Sequence, residues 1–224
     1  MQRRNGGTRE RLIAAASELF AARGFRATTA RDIARRAGVN LAAGNYHYGS
    51  KKQLYREALR AQFEKIASKL ARGGGSRPAA EIDRLGRAEL IDLLARRIRV
   101  MLDTLIGPPP GLHGALMQRE MIDPSDALPM IVAEFIGPMT FENERIVSRL
   151  FPMLEPREVE RCALSIIGQA VFYRVAMPAV LHRKGWKSYP RGFGAELAQH
   201  IAEFSLGGME RVAAKQSGRR RRAS

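Results

Sequence analysis

Apolar residues recur along this chain at the spacing of amphipathic helices, and helix start and stop signals divide them into segments. The first segment has Thr8 as its candidate N-cap, ends at Gly24, and presents on one face Leu12, Ile13, Ala16, Leu19 and Phe20. Two short helices are predicted next, at 29–37 and 40–47, and a long one follows from Ser50 to about Leu70. The N-terminal third of the chain is therefore predicted to be helical.

The stretch from residue 28 to 55 places several helix signals in few residues. Thr29 can N-cap the second helix, and Gly38 supplies the left-handed backbone that ends it. Asn40 and Ser50 can cap the two helices that follow. Two short helices around a glycine-containing turn form a helix-turn-helix, which is a DNA-reading unit. The same arrangement occurs in all-helical proteins that never touch nucleic acid, so the pattern alone leaves both interpretations open.

The glycine- and proline-containing stretch at 72–78 cannot continue a regular element, and it marks a domain boundary. Helices are predicted beyond it at 82–106, 113–122, 125–150, 157–184 and 193–213, with a kink at Pro138. The predicted fold class is all-α. The predicted organisation is a DNA-binding domain at 1–70, a linker at 71–80, a C-terminal domain at 81–214 and a basic disordered tail at 215–224.

The positive charge of the chain is concentrated at its two ends. Formal net charge is +16, of which residues 1–69 carry +10, residues 70–214 carry +1 and residues 215–224 carry +5. A basic N-terminal part beside a nearly neutral remainder is expected when the first domain meets phosphate and the rest does something else, such as dimerise. The tail can add nonspecific DNA affinity, or it can be a solvated end without function.

Several residue pairs between positions 8 and 69 form a recognisable run: Gly24-Phe25, Thr28-Thr29, Ile33-Ala34, Ala37-Gly38-Val39, Tyr46 and Ser50-Lys51. This run resembles the N-terminal domain of TetR-family transcriptional repressors. The motif at 45–48, Asn-Tyr-His-Tyr, is similar to that of the CecR-like subgroup, and so are Gln169, Phe172-Tyr173-Arg174 and Met177-Pro178. The resemblance implies a three-helix helix-turn-helix DNA-binding domain followed by a helical domain that binds a ligand and dimerises.

The second short helix and the helix starts around it supply the candidate DNA contacts. The residues that can reach base edges or phosphates from this helix are Asn40, Leu41, Ala42, Ala43, Asn45, Tyr46 and His47. Thr29, Arg31 and Lys51 lie at or near helix starts, where side chains and free backbone N–H groups can clamp phosphate. The alternative for any one of Thr29, Arg31 and Lys51 is an ordinary solvated surface residue. Gly44-Asn45 replaces the large apolar residue and tyrosine usual in the family, so base preference is expected to depend on Asn45.

The last two long helices are predicted to form the interface of a homodimer. In TetR-family proteins these helices typically make a four-helix bundle across the two-fold axis. The residues assigned to this interface are Ile166, Ala170, Leu197, Ile201 and Phe204. The alternative is that they form core within one chain.

A ligand pocket in the C-terminal domain is the usual regulatory site in this family. Its candidate lining residues are Met101, Leu105, Met117, Met121, Phe135, Met139, Phe172 and Tyr173, although stripes of methionine and aromatic residues more often form core. Polar residues within otherwise apolar helices can orient a ligand, and salt bridges between helices explain them equally well. They are Arg119, Glu120, Asn143, Gln169 and Arg174.

Sequence motifs for catalysis or metal binding are missing. No HExxH, paired CxxC, P-loop, GxGxxG or GxSxG pattern occurs, and the histidines at 47, 113, 182 and 200 are too scattered to argue for a metal. We therefore expect no enzyme, no cofactor and no metal. Cys162 lies among apolar residues and is expected to be a core thiol in a reducing cytoplasm. No apolar run approaches the roughly 20 residues that span a bilayer, so no membrane association is expected.

The sequence thus predicts a cytoplasmic, nucleoid-associated repressor that binds a palindromic double-stranded DNA operator as a homodimer and responds to an unknown small molecule. A second hypothesis uses the same basic domain and tail without an effector. In that case the protein is a nucleoid-associated architectural protein with weak sequence discrimination.

Overall fold

The computed structural model describes residues 7–42, 48–107 and 112–223, and the regular elements in these ranges are helices, which confirms the predicted all-α class. A π-helical turn, Val132–Ile136, stands between the seventh and eighth of them. In chain order the α-helices are α1 Thr8–Ala27, α2 Ala30–Ala37, α3 Lys51–Arg72, α4 Ala79–Ile82, α5 Arg87–Leu105, α6 Leu112–Ile122, α7 Leu128–Ile131, α8 Gly137–Leu150, α9 Pro156–Val175, α10 Met177–Lys184 and α11 Phe193–Ala223.

The described residues form two compact units. The head unit comprises residues 7–42, 48–66 and 112–132, and the body unit comprises residues 67–107 and 133–223. The change of unit at residue 66 falls near the predicted boundary, whereas the sequence did not assign α6 and α7 to the N-terminal part. Helical periodicity predicts that α6 exists and which face is apolar, but it does not say which helix that face packs against.

In the head unit, α1, α2 and α3 share a core, and α6 packs along α1. Fully buried side chains from all three N-terminal helices meet there, including Leu12, Phe20, Ile33 and Leu59. The rings of Phe20 and Phe25 both lie against Tyr55, with centroids 4.7 and 5.0 Å from its ring. Such aromatic pairs stabilise a small core beyond the apolar area that they bury.

Local signals set the helix ends in the head unit, with one exception. Ser50 Oγ accepts from the Gln53 backbone N–H at 3.1 Å, as predicted. The N-cap of α1 is Gly7, so the predicted cap at Thr8 is wrong; Thr8 is already helical, and its hydroxyl accepts from Arg11. Gly24 has φ 81° and ψ 170°, so the regular helix breaks there, although helical geometry resumes through Ala27.

The core of the body unit lies among α5, α8, α9 and α11, which pack against one another. The predicted helix at 82–106 is wrong in one respect, because it is two helices: α4 ends at Ile82 and α5 begins at Arg87. The backbone N–H of Gly86 donates to Glu89 Oε2 at 2.8 Å and so starts a new helix, while Ile82 remains fully buried. A glycine and a glutamate three positions later thus act as a start signal inside an apolar pattern.

Proline positions explain two of the other differences. The predicted helix at 125–150 is divided into α7, the π-helical turn and α8, because Pro138 has no amide hydrogen to donate to the carbonyl four residues earlier. The predicted helix at 157–184 is broken at Ala176, two residues before Pro178.

The tail at 215–224, predicted to be disordered, continues α11 as far as Ala223. Lysine and arginine are good helix formers, and cations are favourable near a helix C-terminus.

A buried arginine joins three segments of the body unit. Arg97 on α5 is 4% exposed, and its guanidinium donates to Asn143 Oδ1 at 2.8 Å and to the Gly75 carbonyl at 2.7 Å. It also pairs with the Glu142 carboxylate, which accepts from Ser76 Oγ as well. Arg97 therefore holds the chain that follows α3 against α5 and α8.

Within the described ranges, no single helix is both long and apolar enough to cross a bilayer. One bent pair of helices in the described part of the chain, α9 with α10, passes that test by length and composition, and the two meet at an angle of 64°. The described residues also contain no cluster of three or more histidine, cysteine, aspartate or glutamate side chains that fits a metal ion.

Candidate nucleic-acid interface

The two threonines between α1 and α2 both have structural roles. Thr28 is fully buried, and its hydroxyl donates to the Gly24 carbonyl at 2.8 Å. Thr29 is the N-cap of α2, as predicted: its Oγ1 accepts from the Asp32 backbone N–H, and its own hydroxyl and N–H donate to the Asp32 carboxylate. These hydrogen bonds from Thr29 lower the pKa of Asp32 below its ordinary value of 3.8. The exposed Thr29 hydroxyl is therefore already engaged before any phosphate arrives.

The three arginines of α2 differ in their partners. Arg35 pairs with Asp32 at 2.6 Å, and Arg36 pairs with Glu18 of α1 at 2.7 Å. Arg31 is exposed and forms no ion pair with any residue that the structure describes. Because its charge is not neutralised by a neighbour, Arg31 is the cation of α2 best suited to meet a phosphate.

The predicted reading helix begins as the sequence indicates. Gly38 adopts φ 63° and ψ 42°, and the N–H groups of Gly38 and Val39 donate back to the carbonyls of Arg35 and Ala34, which ends α2. Asn40 Oδ1 accepts from the Ala42 N–H at 2.9 Å, so this oxygen is used as a cap. Leu41 is half-buried and Ala42 is exposed. The other predicted contacts lie outside the described residues, and they are Ala43, Asn45, Tyr46 and His47.

Lys51 has a role that sequence reasoning missed. Its ammonium donates to the Phe25 carbonyl at 3.0 Å and lies 4.3 Å from the centroid of the Phe25 ring. One of its three N–H donors is thus used at the end of α1, and two remain for a phosphate. Nearby, Tyr48 is buried, and its hydroxyl donates to the Arg9 carbonyl at 3.1 Å.

Polar side chains of α6 form hydrogen bonds to α1 and α3 of the head unit. Arg119 donates through Nε to the Ala21 carbonyl at 2.9 Å and through Nη2 to the Ala22 carbonyl at 2.6 Å. Glu120 is 2% exposed; its Oε1 accepts from the buried Tyr55 hydroxyl at 2.5 Å, and its Oε2 accepts from the Ser125 N–H. Burial, together with the Glu120 carboxylate, raises the pKa of Tyr55.

The polar residues that interrupt apolar helices therefore mostly join one segment to another. Glu120 contacts α3, and Arg119 caps carbonyls near the end of α1. In the body unit, Asn143 accepts from Arg97, and Gln169 Nε2 donates to Ser205 Oγ at 3.0 Å. The sequence had left open whether such residues orient a ligand or link helices, and these contacts favour the second interpretation.

Each unit contains a concave region among its described residues. A cleft of about 370 Å³ lies in the head unit between the end of α1, the start of α3 and the segment 119–127. A groove of about 340 Å³ runs between α5 and α11 in the body unit. None of the predicted pocket residues lines either one.

The predicted pocket residues are divided between the two units. Met117 and Met121 belong to α6 of the head unit, and Met121 is half exposed. In the body unit, Met101, Leu105 and Tyr173 pack against the core, Phe135 and Met139 are half-buried, and Phe172 is 58% exposed. The assignment of these residues to the lining of an effector pocket stays a prediction.

Most residues predicted for the dimer interface lie in the core of their own chain. Each of Ile166, Ala170, Leu197 and Ile201 is at most 5% exposed, whereas Phe204 is 66% exposed. The exposed apolar side chains of α9 follow a different stripe, formed by Leu164, Val171, Phe172 and Val175. For those four buried residues, the alternative interpretation of a core within one chain agrees with the burial.

A head unit with a helix-turn-helix, joined to a helical body unit, defines a class of DNA-binding regulators. Residues 12–58 match the family of bacterial regulatory proteins named tetR, and residues 90–209 match the C-terminal domain of the HTH-type transcriptional dual regulator CecR. The chain therefore belongs to the TetR family of transcriptional regulators, in the group that shares the CecR C-terminal domain.

Individual relatives agree with this assignment. The dual regulator CecR of Shigella flexneri is 27% identical over 190 residues, which cover 81% of this chain and 82% of the relative. The repressor KstR2 of Rhodococcus jostii (strain RHA1) is 41% identical over 63 residues, which cover 28% of this chain and 31% of the relative. The crystal structure of a TetR-like regulator from Rhodococcus sp. RHA1 covers 92% of this chain and 100% of its own, with a TM-score of 0.66 and 16% identity, which shows a shared fold.

Proposed function

We propose that this TetR-family regulator is a ligand-responsive repressor that binds a palindromic operator as a homodimer. The observation that carries the proposal is the start of the helix-turn-helix in the head unit, where Arg31, which forms no ion pair with the described residues, and the exposed Asn40 and Ala42 adjoin the predicted reading segment. One reading segment from each subunit enters the major groove of each half-site, and the half-sites lie about 34 Å apart or a multiple of that distance.

Exposed apolar side chains on α9 and α11 support dimerisation. Phe204 stands on α11 next in sequence to Ser205, which joins this helix to Gln169 of α9. Gly168 lies within the exposed apolar stripe of α9, and a Cβ added there would meet no atom within 4 Å. Small residues within an exposed apolar stripe allow a second copy of the helix pair to approach closely. We call the side chains Leu164, Val171, Phe172, Val175 and Phe204 the apolar face.

Induction follows from differential affinity. A small molecule that binds better to a dimer with wrongly spaced heads shifts the population away from the form that fits the operator. The protein is then a regulator without catalytic activity, and its place in the cell is the cytoplasm, on the nucleoid.

Footprinting of the intergenic region upstream of the gene tests the repressor against an architectural protein. We expect a discrete protected palindrome with the full chain and the same palindrome after deletion of residues 215–224. The tail contributes charge without sequence readout, so its loss lowers overall affinity but leaves the protected bases unchanged. Protection that spreads over the fragment without a palindrome would favour the architectural protein.

Replacing Arg31 with alanine is expected to weaken binding to every DNA sequence and to reduce the slope of log affinity against log salt by about 1. Arg31 carries a charge that no described neighbour neutralises, so its contact with phosphate releases a counterion. Fluorescence anisotropy with a labelled operator and with a scrambled duplex, over a range of salt concentrations, measures both quantities.

Arg36→Ala is the matched control, because the same charge is removed from the same helix but was already paired with Glu18. Its salt slope is expected to stay close to that of the wild type. Equal slopes for the two variants would contradict the assignment of Arg31 to a phosphate.

A further inference from the structure

The cleft in the head unit has the dimensions of a ligand site. Its walls are Arg23–Ala27 at the end of α1, Lys52 and Tyr55 on α3, and residues 119, 120 and 122–127. Its volume of about 370 Å³ falls within the range of small-molecule sites, roughly 300–1,000 Å³. It contains none of the residues predicted for DNA contact or as apolar lining of the effector pocket, but Arg119 and Glu120 are two of the polar residues that the sequence left open as orienting a ligand.

Aromatic rings and a satisfied carboxylate line one part of the cleft. Phe25 is half-buried and offers apolar surface, whereas Tyr55, with its ring centroid 5.0 Å from that of Phe25, is only 3% exposed. The buried Glu120 also lines the cleft, but the Tyr55 hydroxyl and the Ser125 N–H already occupy its two oxygens. This part of the wall therefore suits the apolar portion of a ligand. Its one carboxylate, that of Glu120, already accepts two hydrogen bonds and does not favour a cationic ligand.

Two arginines supply charge that is not neutralised. Arg119 uses Nε and Nη2 on the carbonyls of Ala21 and Ala22, which fixes the guanidinium in place. Its Nη1 approaches Gly24, where it lies 3.5 Å from the position that a Cβ on that residue would take. Arg23 lines the same cleft, is exposed, and forms no ion pair with the described residues.

The other charges at the cleft are paired and accessible to solvent. Arg26 pairs with Asp123 at 3.2 Å, and Lys52 pairs with Asp126. In each pair the two side chains are about half exposed or more, and ion pairs of this kind contribute little because water competes for both partners. Each acid of the cleft thus has a partner already, whereas Arg23 has none among the residues that the structure describes.

We propose that this cleft binds a small organic anion, with its carboxylate between Arg23 and Arg119 and its apolar portion against Phe25. An anion is favoured over a cation because the charged groups left without a counter-ion are guanidinium groups, which match carboxylate geometry. The site belongs to the head unit alone, so occupancy is measured on the full chain without DNA and does not depend on the proposed repressor function.

The test is a titration of the full chain with phenylacetate, and in a parallel experiment with the uncharged phenylethanol. Binding is measured by isothermal titration calorimetry or by changes in NMR chemical shift. We expect saturable binding of phenylacetate and at least tenfold weaker binding of phenylethanol, since charge-assisted hydrogen bonds are the strong ones. Equal affinity for the two compounds, or no saturable binding of phenylacetate, would overturn the proposal.

Three variants locate the site. Arg23→Ala removes an exposed charge and is expected to weaken phenylacetate binding at least tenfold, whereas Ala27→Phe keeps every charge but fills space in the cleft and is expected to abolish binding. Arg36→Ala, outside the cleft, is the control and is expected to bind as the wild type does. Unchanged melting curves by circular dichroism establish that each variant is folded. Wild-type affinity in both cleft variants would place the anion elsewhere and refute the proposal.

Discussion

Phe172→Glu combined with Phe204→Glu is expected to make the protein monomeric and to weaken operator binding by roughly 10²–10⁴-fold, the gain that linking two binding modules provides. Both side chains belong to the apolar face, and both are more than half exposed in a single chain. In a dimer, the introduced glutamates would face their own copies across the two-fold axis and repel them. Burying these carboxylates without a positive partner is also costly. Analytical ultracentrifugation measures the mass, and anisotropy with the full palindrome measures the affinity.

Phe141→Glu is the control, because Phe141 is a similarly exposed phenylalanine on α8 of the body unit, outside the apolar face. This variant is expected to remain a dimer with wild-type operator affinity. A dimeric double variant would mean that the subunits associate through another surface.

Arg97→Ala is expected to lower the free energy of unfolding of the body unit by about 3 kcal/mol, the low end of the range for removing one partner of a buried ion pair, because the Glu142 carboxylate is 29% exposed and water reaches it. The substitution leaves the Glu142 carboxylate, the Asn143 amide and the Gly75 carbonyl without their shared donor. Trp186 is the only tryptophan of the chain, it belongs to the body unit, and it packs against Phe193. Its fluorescence in a urea titration therefore reports on the unit that contains Arg97.

Arg96→Ala provides the comparison for this measurement. Arg96 is the next residue along α5, pairs with Asp92 and donates to the Gly74 carbonyl, but its side chain is 40% exposed. Its loss is expected to cost less than about 1 kcal/mol, as for surface ion pairs. Similar urea midpoints for the two variants would show that the buried Arg97 stabilises the body unit no more than the exposed Arg96 does.

Where a local rule fixes a helix end, the sequence was sufficient. Thr29 and Ser50 cap the helices predicted for them, and Gly38 has the left-handed backbone that ends α2. These signals depend on hydrogen bonds within a few residues, so no knowledge of tertiary packing is needed. The prediction failed at Thr8, where the preceding Gly7 takes the cap position and the threonine hydroxyl is not used as a cap.

Long-range assignments could not be obtained in the same way. Helix α9 has apolar residues on two faces, and periodicity does not say that Ile166 faces the core while Phe172 faces outward. The partner of Lys51 is the carbonyl of Phe25, and a backbone carbonyl leaves no signal in the sequence. For Arg119 and Glu120 the signal existed, since charged residues interrupted an apolar helix, but their partners on α1 and α3 are far away along the chain.

The membership of α6 in the head unit limits how regulators of this kind can be recombined. By sequence, α6 falls inside the match to the CecR C-terminal domain, at 90–209, yet it carries the Glu120 that satisfies Tyr55 of the N-terminal match. A hybrid that joined residues 1–80 of this chain to the C-terminal part of a distant relative would separate the two. A hybrid that keeps the DNA specificity of this protein therefore has to include residues 112–132 together with the N-terminal helices.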